Sequence, residues 1–300
     1  MFSSKKLWND FWFQPNSVQI KTLSAFRLFL GSVLFVFYFI RFLSFDTYYS
    51  DDGFLPLSEL GKYDLNFNYY ILDYVQMLPS EALFYVLHIL FLILLLALSL
   101  GLLPRWATLL TFFIHVLFLH RNPLINYGVD YYATYFLFYL SFIQHSQFFS
   151  LKPKKQTIDI FTSVGFRLLQ IQLVVAYAYA GFEKLKGQTW WEGKAVWNSV
   201  INPQISTFDF SWMSHIPFIV AVLSFMTIIF EVYAPVAFFS SKARRLWLVL
   251  GFGFHIGILL TLNIPFFALV MTAGLLIFVK DEELDQFLSF CKARKWRQPR

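Results

Sequence analysis

The stretch EALFYVLHILFLILLLALSLG, residues 81–101, carries one acid at its start and no other charge. About 20 such residues in a helix cross the ~30 Å hydrocarbon core of a bilayer. Working outward, similar segments recur near 22–44, 104–119, 126–145, 163–184, 216–240, 246–262 and 264–280. The segments at 104–119 and 264–280 are the shortest. In lipid the backbone must satisfy its own hydrogen bonds, so each span is helical. The expected fold is an all-α polytopic transmembrane bundle of about eight spans, with both termini on the same side.

Composition agrees. Of 300 residues, 58% are hydrophobic and only 14% charged, too few to cover the surface of a soluble domain. The aromatic share of 21%, with 39 Phe, suits lipid-facing surfaces and interfacial belts. The net charge of +6 sits mostly in residues flanking hydrophobic segments, so no nucleic-acid partner is expected. With eight spans, sixteen Lys and Arg fall on the side of the termini and five on the other, with Arg27, Arg41 and Arg167 inside spans. That asymmetry places both termini in the cytoplasm. No small-residue cleavage site follows the polar first 22 residues, so the first span is expected to be retained.

The chain then divides into a cytoplasmic segment (1–21), a membrane domain (22–280) and a basic cytoplasmic tail (281–300). The tail opens with DEELDQFLSF (281–290), which reads as a short amphipathic surface helix. The single cysteine, Cys291, excludes an intrachain disulfide and a cysteine metal site. Two outer loops are long. Residues 45–80 are acidic, with Asp46, Asp51, Asp52, Glu59, Asp64 and Asp73. Residues 185–215 carry Trp190, Trp191, Trp197 and Trp212, which predicts a segment lying in the headgroup layer.

Ionisable residues inside spans are costly, about 2.5–3.5 kcal/mol each on insertion scales, and mark candidate sites. Counting from span ends puts Arg27, Arg167 and Glu231 in the inner half. The plain expectation is an interhelical charge pair such as Arg27–Glu231, or Arg167–Glu231, that locks the bundle; proton or ion passage is the sharper one. His88, His115 and His255 lie at mid-depth or in the outer half, Asp130 in the first turns of the fourth span, and Asn122, Asn126 and Asn263 at outer helix ends. The histidine spacing fits no metal motif, and no metal is expected. In the fifth span Arg167, Gln170, Val174, Tyr177, Gly181 and Lys184 recur at steps of three and four, one stripe down one face. A mostly polar stripe must face protein or water, so it aims Lys184 into the bundle at its outer end. Desolvation there favours the neutral amine, the form that acts as a general base. A lysine snorkelling at a helix end is the bland alternative.

The motif GFEKLKGQTWWEGKAVWNS (181–199) resembles the transmembrane domain shared by vitamin K-dependent γ-glutamyl carboxylase and its bacterial relatives, the HTTM (horizontally transferred transmembrane) proteins. The shared pattern is Gly181, Lys184, Leu185, Trp190 or Trp191, and Gly193. SAFRLFLG (24–31), FEVYAPVAFF (230–239) and GFHIGILL (253–260) resemble other helices of that family, with Arg27 at its Phe-Arg and His255 at its Phe-His position. The resemblance covers about residues 22–275. It implies that Lys184 is the base that starts oxidation of a reduced vitamin K or other quinone, at the outer face. Oxygenation of that group makes the strong base that precedes carboxylation. The resemblance assigns a catalytic role to Lys184 and His255. Asp130 joins them as the nearest ionisable residue to the carboxylase's important histidine, which the stretch 122–135 lacks. Tyr177, His88, His115, Trp191 and Asn263 are the candidate lining of a quinone cavity.

These 300 residues hold no counterpart of the carboxylase's large lumenal region, so the expectation extends to the membrane chemistry alone. The expected setting is a bacterial inner (plasma) membrane, with membrane lipids, a lipid quinone and an unidentified protein as partners. A transporter or lipid-binding protein on the same fold, and a subunit that docks a partner through its Trp-rich loop, are the alternatives.

Overall fold

The computed structural model describes residues 4–14, 18–60, 80–155 and 157–295. Asp64, Asp73 and Lys62 of the acidic loop lie outside them. Among the described residues the regular structure is helical, apart from one isolated bridge between Ser206 and Leu262. The longer helices are α1 (Ser4–Phe13), α2 (Ile20–Leu43), α3 (Glu81–Ser99), α4 (Arg105–Arg121), α5 (Gly128–Leu140), α6 (Ile160–Lys186), α7 (Pro217–Ala237), α8 (Arg244–Thr261), α9 (Pro265–Leu275) and α10 (Asp281–Lys295). Five of them, α2, α3, α6, α7 and α8, are long and apolar enough to cross a membrane. The other three expected spans form helices of 17, 13 and 11 residues, α4, α5 and α9. The long helices keep apolar exposed residues, as at Val36 of α2, Ile93 of α3, Val236 of α7 and Val249 of α8, which suits contact with lipid. The chain forms two compact units, Met1–Phe166 and Arg167–Arg300.

In the first unit α2 packs against α3. Small side chains let the two backbones approach: Ser32 and Ser99 share a 2.7 Å hydrogen bond, and the Ser99 hydroxyl donates to the Leu28 carbonyl. The buried core includes Phe26, Leu30 and Leu34 of α2, Phe91 and Leu95 of α3, and Phe136 and Leu137 of α5. Helix α3 ends on Gly101, whose φ of 69° is the left-handed conformation that closes a helix. Its N–H bonds the Leu98 carbonyl at 3.0 Å, and Leu102 N–H bonds that of Ala97 at 2.9 Å.

Arg27 is fully buried and engages no carboxylate among the described residues. Its guanidinium donates to five carbonyls: Leu98 (2.7 Å) and Ser99 (2.5 Å) at the end of α3, and His145 (3.1 Å), Phe148 (3.2 Å) and Phe149 (2.6 Å) in the turn after α5. All five acceptors are backbone carbonyls of the first unit. Carbonyl oxygens at a helix end and in a turn carry partial negative charge, and they serve the cation in place of an acid.

In the second unit α6 meets α7 at Gly181, where a Cβ would sit 2.8 Å from the backbone nitrogen of Val232. The segment between these helices folds back along the first half of α7. It forms short helices at Gln188–Trp191 and Ala195–Val200 and a 3-10 turn at Ser211–His215. A Cβ on Gly193 would lie 2.7 Å from Ala221, and Val196 N–H donates to Ser224 Oγ at 3.2 Å. Val200, Met213 and Val220 close a small core, with Trp197 packed on it. Thr207 N–H bonds the Thr261 carbonyl and Asn263 N–H bonds that of Ile205, tying the segment to the end of α8. The apolar residues between the tryptophans drive this packing, because burying them against α7 removes them from water.

Helix α10 is fixed at its first turn. Glu283 accepts from Arg244 (2.7 and 2.8 Å), from Arg245 (2.8 Å) and from the Lys280 N–H (3.0 Å). The Arg244 hydrogen bond, above all, holds the Glu283 carboxyl down at about 2, from an ordinary 4.5. A depressed carboxyl pKa adds stability that is complete above the unfolded value and fades as pH falls through the folded one. The melting difference between wild type and Glu283→Gln should therefore be constant above about pH 5.5 and shrink between pH 4.5 and 2. A difference that does not change over that range would show that the clamp does not stabilise the fold.

Candidate functional site

The stripe on α6 faces inward as its spacing requires. Gln170 donates to the Ile277 carbonyl at 3.1 Å, Val174 and Tyr177 are buried, and Gly181 touches α7. Arg167, at its start, donates to Gln170 Oε1 at 2.7 Å rather than to Glu231.

Lys184 ends the stripe against Glu231. Its Nζ lies 2.7 Å from Oε2 and donates a hydrogen bond of 2.9 Å to Oε1. Oε2 is close to the ammonium but off the angle for a hydrogen bond, so it makes the ionic contact only. The Glu231 side chain is 5% exposed and that of Lys184 22%. The Trp190 ring stands over the ammonium, 5.2 Å from Nζ to centroid, a cation–π contact that covers the pair. Counting residues from span ends had put Lys184 in the outer half and Glu231 in the inner half. They meet because α6 stops before the folded-back segment, while Glu231 lies 14 residues along α7, about 21 Å from its start.

Farther along the same face, Tyr177 OH and His255 Nε2 share a 2.7 Å hydrogen bond. Phe230, Phe254 and Phe267 pack around this pair. His255 Nδ1 is buried with no hydrogen-bond partner among the described residues. Lys184, Glu231, Tyr177 and His255 thus belong to the second unit. Trp191 is exposed, with its indole N–H on the Leu185 carbonyl, and Asn263 is exposed at the end of α8, so neither lines an interior.

Asp130, His88 and His115 belong to the first unit. Asp130 is buried and accepts four hydrogen bonds: two from Arg41 (2.7 and 3.1 Å), one from Tyr38 OH (3.1 Å) and one from Tyr127 N–H (3.1 Å). Arg41 also donates to the Ile125 carbonyl and lies 4.2 Å from the Phe37 ring centre. His88 Nε2 bonds the Tyr38 carbonyl at 3.0 Å, and His115 Nδ1 faces Thr134 Oγ1 at 3.3 Å. The sequence did not mark Arg41 or Tyr38 as partners. The available signal was position: Arg41 closes α2 and Asp130 opens α5, so the eight-span topology puts both on the outer side.

The comparisons with known proteins follow this geometry. No solved structure matches the chain. The sporulation-delaying protein SdpB of Bacillus subtilis (strain 168) is 26% identical over 129 residues, 41% of this chain and 40% of that protein. The chain thus spans about 40% of the length of the curated relative it matches. The model of the HTTM domain matches residues 13–282, which hold α2 to α9 and both buried charge pairs. With nearly its whole length inside that match, and several helices apolar enough to cross a membrane, this chain belongs to the HTTM domain family.

Proposed function

We propose that this multipass membrane protein performs proton-transfer chemistry on a reduced, quinone-type lipid, with Lys184 as the base, in the manner of the first step of vitamin K-dependent carboxylation. The observation that carries the reading is the Lys184–Glu231 contact under Trp190 in a family motif. A bound reduced quinone would supply the acidic hydroxyl and the electrons. The donor set suits such a group: an amine, a carboxylate and an indole face at the outer end of an apolar helix.

Glu231 can take the ammonium proton through the 2.9 Å hydrogen bond to Oε1, which leaves a neutral pair whose amine can accept a proton from the substrate; the pair then carries one positive charge beside the substrate anion. Trp190 shields the ammonium on one side. Tyr177 and His255 form the polar end of the same helical face and orient the substrate. Asp130 is engaged by four donors and is assigned to holding Arg41 and Tyr38.

Lys184→Arg keeps a cation beside Glu231, so the fold should survive. The guanidinium stays protonated and cannot act as a base. Oxidation of reduced quinone should fall by roughly 10²-fold or more, the usual worth of a positioned base. Lys186, 70% exposed and paired with Glu183, serves as control: Lys186→Ala should match wild type. Equal rates in wild type and Lys184→Arg would remove the base. A second reading has support in the closed ion pair itself, which needs no substrate to neutralise it. Absence of oxidation in wild type would favour that reading, a lipid-binding, transport or subunit role on the same fold.

The topology proposed with this function is eight spans, α2 to α9, in a bacterial inner membrane with both termini cytoplasmic. It rests on the sixteen-to-five asymmetry of basic residues. Reporter fusions at residue 60 should read outside, and those at residue 153 and the C-terminus inside. An external C-terminus would refute it.

A further inference from the structure

Among the described residues, helix α10 has an apolar face that protein covers only in part. Leu284, Phe287, Leu288 and Cys291 recur at i, i+3, i+4 and i+7, one side of a helix. Phe287 is 62% and Phe290 64% exposed. Bulky exposed aromatics on a short helix call for an apolar surface to meet them.

Three observations select the occupant. The first is position. Helix α10 starts two residues after the apolar run α9–Phe278, and Arg244 joins the two, donating to the Phe278 carbonyl (2.8 Å) and to Glu283. The helix therefore leaves from the place where the apolar helices α8 and α9 begin and end, at the edge of the lipid-facing surface. The second is the face itself, which exposes two phenylalanines, Phe287 and Phe290, to its surroundings. The third is charge. The acids of the tail cluster at Asp281, Glu282, Glu283 and Asp285, while residues 286–300 hold Lys292, Arg294, Lys295, Arg297 and Arg300 and no acid. An apolar face followed by a run of cations complements a lipid surface that carries negative headgroups.

We propose that α10 is an anionic-lipid-binding helix: its Phe287–Phe290 side enters the headgroup boundary and the basic residues beyond it engage anionic lipid. The inference is independent of any chemistry at Lys184.

The lone Cys291, exposed and on this face, provides the reporter. The full chain carries an environment-sensitive fluorophore there and is reconstituted in nanodiscs of phosphatidylcholine, with or without phosphatidylglycerol. Quenching by acrylamide, which is neutral and so blind to surface potential, is the readout. The expected result is about threefold weaker quenching in the anionic discs, reversed by high salt, which screens the basic run. Phe287→Ser with Phe290→Ser should be quenched equally and strongly in both discs; both residues are exposed, so the fold is unaffected. Equal quenching of the wild-type chain in both lipids would overturn the proposal. So would protection that persists in the double variant, or equal protection in detergent without lipid, since protein would then cover the face.

Discussion

Arg27→Ala is expected to destabilise the first unit by about 4 kcal/mol or more, enough to prevent recovery of folded protein. The substitution strips donors from five carbonyls, at the end of α3 and in the turn after α5; only that of Leu98 keeps a second donor named above, the Gly101 N–H. Each orphaned acceptor costs roughly 1–3 kcal/mol. Arg27→Lys should fall between, because one ammonium cannot reach the spread of sites that the planar guanidinium covers. Thermal melting of the purified variants in detergent gives the ranking. An alanine variant that melts with wild type would show that the carbonyls find other partners.

The second large effect is at Asp130. Asp130→Ala leaves the Arg41 guanidinium charged and buried, with only the Ile125 carbonyl of its present polar partners. Breaking a buried pair from one side costs roughly 3–5 kcal/mol. Replacing both partners by apolar groups of similar size is often neutral, so Asp130→Leu with Arg41→Met should regain most of the loss. Expression level and melting temperature of the single and double variants test this. A double variant as unstable as the single one would show that Tyr38 and Tyr127 depend on the carboxylate for more than charge balance.

Helix positions were legible in the sequence because hydrophobic runs and spacing carry them directly. Segment 163–184 became α6 (Ile160–Lys186) and segment 81–101 became α3 (Glu81–Ser99), each within three residues at either end. The inward stripe from Gln170 to Lys184 was legible for the same reason. Partners were not. The acceptors of Arg27 are backbone carbonyls, which outnumber carboxylates inside a helical bundle and leave no trace in composition. The contact of Lys184 with Glu231 was not legible because residue counting assumes that the segment after a helix leaves the bundle. Residues 187–216 break that rule by packing on α7. Arg41 and Asp130 are 89 residues apart, and only the folded chain shows them as one cluster.

Arg27 has a consequence for biogenesis. The ribosome delivers α2 with its cation already aboard, but the acceptors come 71 to 122 residues later. At ordinary elongation rates that interval is roughly 4–25 s. During it the guanidinium sits about 10 Å from the start of its helix with nothing to bind except headgroups and water. The nascent helix must therefore ride high in the bilayer, with its side chain drawn back toward the entry side. It can settle to full depth only when α3 has ended and the turn at 145–149 has been made. A ribosome arrested before Ser99 should hold α2 shallow, and one arrested after Phe149 should release it inward.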